Sequence, residues 1–542
     1  MKPRFNNLTV FLTLMALALI AYFPSIGGGF LLYDDPDYIT ENFHLTDFSL
    51  NGFINLFNLQ GYDLYIPLTW VSYWVEKNVF HFSAIGMHIS NILFHGINAF
   101  LLFILFVKLF HKMRPAFLLA LLFLLHPQHV ESVAWLAERK DVLYTFFYLL
   151  AFIFYIDFKN TGNKTYYYTA FLCFVLSCLA KPMAVSLPVL LILMDYFVFD
   201  ERKVKQQLNK IPFLFVSLLF SIVAVRMMDT GSLPDEVLHY SVLTKIMIPF
   251  YELGFYIVKL ILPVNLCAIY ALPGLPEIYL YALFFIVLAA FAWLKGNNYI
   301  RFAVLAYVVI LLPVLQLIPN ANALVVDRYA YVSSIALFTV ICFWIDKNNL
   351  LQKSINVIFA LVILAFGFMS YNRCKVWTSD LALFTDVISK NKKSQTAYAN
   401  LGMYYLNHNN AGQALVNLQE AATLQSDNTV ILTNYAWALA INNQADKSLQ
   451  VLLRSADITP LYFKTWNNLG VVLGIKGRYQ LSLKSLLMAG KLNSHNAELY
   501  YNMAITYTNL HQNDHAISCY QRAAKMGLTQ AQQFLSANNL GW

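Results

Sequence analysis

A chain of 542 residues in which 59% are hydrophobic and only 12% charged falls outside ordinary soluble proteins, where about 25% carry charge. The net charge of +8 does not point to nucleic acid: Lys108, Lys112, Arg114, Arg202 and Lys203 sit in short connections between apolar runs, and no basic stripe with interleaved aromatics is present. Six scattered cysteines without a CxxC spacing argue against a disulfide framework and a zinc site.

The pattern predicts an all-α protein of two domains, a polytopic membrane domain over 1–374 and a water-soluble helical domain over 375–542. The first apolar run, residues 8–23, has a basic flank but no small-x-small cleavage site, which predicts a retained span. Pro24 and Gly27-Gly28-Gly29 end that helix, and Tyr33-Asp34-Asp35-Pro36-Asp37 follows at once. Ionised groups beside a bilayer are costly and suggest function, although in isolation a hydrated Asx-type turn is the better account of them. A loop of roughly fifty residues comes next, longer than a mere connection needs. Its stretches 49–58 and 67–80 are amphipathic and aromatic, as suits helices lying at the interface.

Further spans are predicted at about 87–107, 115–136, 141–157, 165–180, 182–199, 211–226, 277–294, 299–318, 329–345 and 355–371, about eleven in all. The run 244–262 holds Pro249, Glu252 and Lys259 and is read as an interfacial or re-entrant helix. With the N-terminus inside, an odd number of spans places Asp34, Asp35 and the C-terminal domain on the outer face. The same face gathers His126-Pro127-Gln128-His129-Val130-Glu131, Glu138-Arg139-Lys140-Asp141, Lys181-Pro182 and Asp327-Arg328-Tyr329. His126 and His129 stand three residues apart without a cysteine or tight acid set, so a hydrogen-bonded pair at a proline-kinked helix end is favoured over a metal pair. Lys181 alone reads as a snorkelling lysine and Asp327-Arg328 as a local ion pair; their shared side is the informative feature.

Beyond residue 374 the chain repeats with a period of 34. Large residues recur at Tyr398, Leu432, Trp466 and Tyr500, and small ones at Gly402, Ala436, Gly470 and Ala504. Ala414, Ser448, Ser482 and Ala516, then Ala421, Ser455, Ala489 and Ala523, continue the register. This is the tetratricopeptide pattern, and four units with an incomplete leader from Trp377 to Ile388 suffice for an α-solenoid. Such an array binds an extended peptide or another protein, or serves as a scaffold.

An outer pocket with paired carboxylates and several cations suits group transfer from an anionic, lipid-borne donor. A phosphate leaving group needs no general acid, one carboxylate takes the proton of an incoming hydroxyl, and Arg or Lys steadies the phosphate charge.

The motifs Tyr33-Asp34-Asp35, Pro67-Leu68-Thr69, Gly86-x-His88 with Asn91 and His95, and His126-Pro127-x-His129-x-Glu131-Ser132-Val133-Ala134-Trp135 carry a family likeness. With Glu138-Arg139-Lys140-Asp141, Lys181-Pro182, Asp327-Arg328-Tyr329 and the repeats, the chain resembles the transmembrane and TPR-containing O-mannosyltransferases and their bacterial relatives, of the GT-C class. The resemblance implies a polyprenyl-phosphate-linked sugar as donor, mannose or another hexose, and Ser/Thr hydroxyls of proteins as acceptors. It implies that the catalytic base is Asp34 or Asp35, without separating them. Arg139, Lys140, Lys181 and Arg328 would hold the donor phosphate, and Tyr33, His126, His129 and Glu131 would line the pocket. No cofactor is implied with certainty, and a divalent metal is left open. The partners expected are the lipid-linked donor, the acceptor protein through the repeats, and membrane lipids, with no nucleic acid. A bacterial inner membrane with a periplasmic array is expected, or the endoplasmic reticulum membrane in a eukaryote. The rival readings are a non-catalytic membrane-anchored scaffold and an O-antigen ligase or polymerase-like enzyme, whose chemistry rests on Arg and His in a large outer loop.

Overall fold

The computed structural model describes residues 6–58, 64–81, 83–227, 240–316, 324–347 and 352–542. Helices account for all the regular structure among them, and no strand occurs among the described residues. The chain divides into two compact units, Met1–Lys390 and Asn391–Trp542. The boundary thus falls after the leader helix Asp380–Lys390 rather than at 374. Leu383, Phe384 and Val387 of that helix are buried, and Asp380 accepts the Leu32 amide at 2.7 Å. Arg373 pairs with Asp386 at 2.6 Å, which fixes the leader to the helix before it.

Among the described residues of the first unit, six helical segments are long and apolar enough to cross a membrane: Asn7–Gly27, Ala84–Phe110, Leu136–Thr161, Val204–Met227, Leu275–Lys295 and Val357–Val376. Met113–Leu125 and Pro127–Ala134 form a further candidate, bent by 53° between them. The expected count of eleven differs because several apolar runs fold as shorter helices, such as Pro182–Phe197 and Asn298–Leu311. Prolines at 127 and 182 occupy the first turn after each break, where a missing N–H costs nothing.

The helix Val242–Ile261 runs unbroken through Pro249, and its middle, Tyr251 to Ile257, is buried. Gly254 lies so close to the Tyr281 carbonyl of Leu275–Lys295 that a Cβ would collide with it. This replaces the expected interfacial or re-entrant helix with one packed inside the unit. The long first loop does carry two short helices, Leu50–Asn55 and Pro67–Asn78, close to the predicted stretches. Their inner faces join Ile39, Leu45, Leu56, Ile66, Trp70 and Tyr73 in a small core. Phe43, Phe48, Leu50, Ile54 and Phe80 face outward, the fringe expected of an interfacial element.

The second unit holds four helix pairs: Gln395–Asn407 with Ala411–Leu424, Thr429–Ile441 with Ala445–Ile458, Phe463–Ile475 with Tyr479–Leu492, and Ala497–Asn509 with Asn513–Lys525. Gly402 and Gly470 show why this position of the repeat is small: a Cβ there would stand 2.5 Å from the Leu418 and Leu486 side chains. The turns within the pairs use left-handed backbone at Asn409, Asn443, Gly477 and His511, again 34 residues apart. A last helix, Thr529–Ala537, which the period did not foretell, closes the array by stacking Phe534 on Tyr520 at 4.0 Å.

Candidate active site

Most of the expected site residues lie on or beside four short turns, each leading into a helix: Pro127–His129, Leu136–Glu138, Pro182–Ser186 and Asp327–Tyr329. At each turn the helical ladder lapses, so polar side chains are presented sideways rather than along an apolar helix face. The loop with Asp34 and Asp35 lies against this group. It passes closely by His88 at Gly28, where a Cβ would meet His88 Nε2 at 3.0 Å.

The two aspartates have different environments. Asp35 is fully buried; its Oδ2 accepts the Leu31 amide at 2.8 Å and its Oδ1 the Ala137 amide at 2.9 Å. It fastens the loop to the turn Leu136–Glu138. Burial pushes its carboxyl up to about 7, although both backbone N–H groups pull the other way. Asp34 is half-buried, and among the described residues no hydrogen bond engages its carboxylate. Burial raises it too, opposed by the positive charges of Lys140 and Arg328.

Lys140, Lys181 and Arg328 interlock with Glu131, Glu138 and Asp141. Arg328 reaches Glu131 at 2.5 Å and Glu138 at 3.3 Å. Lys140 pairs with Glu138 at 3.0 Å. Lys181 meets Glu138 at 3.4 Å and Asp141 at 2.5 Å, and Ser132 donates to the other Asp141 oxygen at 2.8 Å. Arg328 is the most open of the three cations, with 17% of its side chain exposed against 6% for each lysine. An aromatic floor lies beneath: Tyr33 stacks on Trp135 at 4.8 Å, and Trp135 on Trp377 at 5.5 Å. Lys140 sits 4.5 Å from the Tyr38 ring, and Arg328 5.6 Å from Trp135. Burial raises the Tyr33 hydroxyl far above its ordinary range, so it stays protonated.

Three of the expected residues lie elsewhere. Arg139 is completely buried: it pairs with Glu76 at 2.8 Å, donates to the Met87 carbonyl at 2.9 Å and to Asn91, and faces the Tyr73 ring. Its guanidinium is occupied inside the unit and is not open to a donor phosphate. His126 and His129 are core groups rather than pocket lining. His126 Nδ1 accepts the Gln128 amide, and Nε2 donates to the Leu260 carbonyl at 3.0 Å. His129 bridges the Phe123 carbonyl at 2.7 Å and Ser334 at 3.1 Å. Each ring is thus hydrogen-bonded within the core, and among the described residues the two side chains do not bond to each other. Among the described residues no three His, Cys, Asp or Glu side chains converge as metal ligands.

Sequence reasoning assigned no role to Glu138, Asp141, Tyr38, Trp135 and Trp377. The signal for the first two was present, since both fall inside the Glu138–Asp141 motif. Buried, unpartnered polar atoms also occur in this region, at Glu131 Oε2 and at both ends of the Gln128 amide.

Taken together, these features define a polytopic helical membrane protein whose interrupted helices hold an acid–cation site, followed by a tetratricopeptide array. A tetratricopeptide repeat model matches residues 497–526. A Caenorhabditis elegans protein, Protein O-mannosyl-transferase F38B6.6, is 24% identical over 74% of this chain and 60% of its own length. Protein O-mannosyl-transferase TMTC3 is 22% identical in mouse, over 82% of this chain and 59% of the relative, and 21% in human, over 92% and 60%. The chain is a relative of these proteins, and it spans about 60% of their length. Two solved structures are similar to part of the chain. MamA is 14% identical with a TM-score of 0.25, over 28% of this chain and 88% of its own. YrrB, described as a TPR protein with an unusual peptide-binding site, is 17% identical with a TM-score of 0.26, over 34% and 89%.

Proposed function

We propose that this chain is a membrane glycosyltransferase that moves a hexose, mannose by likeness to its relatives, from a polyprenyl-phosphate donor to Ser/Thr hydroxyls of proteins. The observation that carries the proposal is the unengaged carboxylate of Asp34 beside Lys140 and Arg328, next to an Asp35 that is fully spent on backbone amides. Asp34 is then the base and Asp35 the residue that positions it. The acceptor O–H proton passes to Asp34 as the oxygen attacks the anomeric carbon. The bond from that carbon to the phosphate oxygen breaks, and the polyprenyl phosphate leaves with the electron pair. A single displacement of this kind inverts the anomeric centre. Arg328, the most open cation, takes the phosphate charge, with Lys140 behind it. Glu131 and Glu138 hold both cations in place, at the cost of competing with the phosphate for them. The repeat array receives the acceptor protein. We assign the protein to a bacterial inner membrane with the array in the periplasm.

The test uses proteoliposomes, a polyprenyl-phosphate-[3H]mannose donor and a Ser/Thr peptide. Asp34→Asn should lower transfer by about 10²–10⁴-fold, the usual contribution of a general base, with unfolding unchanged. Asp35→Asn should instead destabilise by about 1–3 kcal/mol, because one of its two amide donors would face an NH2 group. Full transfer by a folded Asp34→Asn protein rules out this assignment of the base.

A further inference from the structure

The first unit holds a second group of charges, apart from the acid–cation site, that the fold leaves incompletely paired. Arg373 stands in the last turn of the helix Gln352–Val376, at the end of the candidate span Val357–Val376. Only 9% of it is exposed. Its Nη1 donates to Asp386 at 2.6 Å, whereas its Nη2 is buried and has no partner among the described residues. The ion pair that fixes the leader helix Asp380–Lys390 to the span therefore uses one prong of a two-pronged donor. A buried donor without an acceptor is costly, and a bound oxygen anion removes that cost.

Arg373 lines a cavity of about 380 Å³ together with Asp386 and Lys390. Lys390 reaches the other Asp386 oxygen at 2.6 Å and the Leu266 carbonyl at 2.7 Å, and 27% of its side chain stays exposed. Two cations thus share one carboxylate, and the lining carries a net charge of +1. Lys259 and Asp327, whose charges act on the same region, offset each other and leave that balance unchanged. Most of the remaining wall is apolar, with Pro263, Val264, Phe368 and Met369. Val264 and Phe368 are exposed, Phe368 by 70%. On a membrane span such a phenylalanine meets hydrocarbon. Arg373 lies five residues further along the same helix, about 7.5 Å nearer its end. Apolar wall and cations therefore follow one another along the span in the order of a lipid's chains and headgroup. A basic pocket between helices at a membrane surface suits an anionic headgroup.

We infer that this cavity holds the phosphate of an anionic membrane lipid, which accepts hydrogen bonds from Arg373 Nη2 and Lys390 Nζ while its chains run along Val264 and Phe368. Asp386 holds both cations in position and, being negative itself, limits how tightly the lipid is bound. Because Asp386 and Lys390 belong to the leader helix, the lipid ties that helix to the membrane surface. The inference needs only a membrane-embedded first unit and is independent of the transferase reading.

The experiment is native mass spectrometry of the full chain in detergent, titrated with phosphatidylglycerol, phosphatidylcholine or inorganic phosphate. Phosphatidylglycerol should bind about 5-fold more tightly than phosphatidylcholine, the worth of one net charge near a lipid surface. Inorganic phosphate in excess should not displace it. Lys390→Gln should abolish the preference. Asp386→Asn should strengthen phosphatidylglycerol binding by about 5-fold, since it removes a repulsion and frees the second prong of Arg373. The sign of that change is decisive, because a purely structural ion pair predicts equal or weaker binding once Asp386 is neutral. Arg373→Lys, which keeps the charge and removes the fork, should weaken binding by about 3–10-fold. If that variant does not fold, the other two decide. Equal affinity for the two lipids, a preference that survives Lys390→Gln, or binding unchanged or weakened by Asp386→Asn overturns the inference. Displacement by inorganic phosphate overturns it as well, by making the cavity a site for soluble anions.

Discussion

Replacing Arg139 with leucine separates a structural role from a donor-binding one. The guanidinium is fully buried and faces Glu76, which is itself almost completely enclosed. Taking away one partner of such a pair leaves an uncompensated charge, at a cost of about 3–5 kcal/mol. It also strands the acceptors on Asn91 and Met87 that Arg139 now satisfies. Glu76→Leu should cost a similar amount. The double variant, with both charges gone and an apolar contact in their place, should recover most of the loss and stand within about 1–2 kcal/mol of the parent. The assay is denaturant unfolding of the detergent-solubilised chain, followed by tryptophan fluorescence, for all four members of the cycle. Unchanged unfolding in Arg139→Leu together with a raised donor KM would refute the assignment, and would return Arg139 to the phosphate site.

Two further outcomes follow from the geometry. Asp35 is held near 7 in the folded protein against an ordinary value of 3.8, so the native state binds the extra proton between those limits. Its contribution is therefore complete below about pH 4 and is lost as pH rises through 7, about 4 kcal/mol in all. Unfolding at pH 5 and pH 8 should show the chain more stable at the lower pH, with the slope reduced in Asp35→Asn. In the array, Gly470→Ala should cost about 1–3 kcal/mol through its 2.5 Å clash with Leu486, measured by thermal melting. Gly412→Ala, which meets nothing within 4 Å inside a helix, should leave the melting point equal or higher.

The parts of this chain that announced themselves are those governed by a period. Four repeats are visible at 34-residue spacing because packing demands a small residue wherever two helices touch, as Gly402 does against Leu418. The apolar runs are equally plain, but their number as crossings is not, since a break such as that at Pro127 leaves composition unchanged. Within the site, sequence could not rank neighbours. Arg139 and Lys140 are adjacent, yet consecutive helical residues point about 100° apart, and helix phase alone sends one inward to Glu76 and the other to Glu138. Asp34 and Asp35 differ in the same way, by which of them meets the Leu31 and Ala137 amides. The leader helix was read as part of the repeats because Phe384 is in register with them, although that side chain packs against Tyr33.

The bond from Ala137 to Asp35 stands three residues before Lys140 and one after Asp34. For the proposed reaction, the proton acceptor and the phosphate grip are therefore parts of a single rigid jaw, set when the chain folds and not when substrate arrives. An acceptor hydroxyl has to come to that jaw, so the gap acts as a gauge of side-chain length. Serine and threonine hold their oxygen one carbon from the backbone; tyrosine holds it four atoms further out. A peptide with tyrosine in place of threonine should receive no sugar, and equal labelling would mean that the loop travels. Selectivity for the type of hydroxyl then needs no pocket for the acceptor side chain, only a distance that never changes.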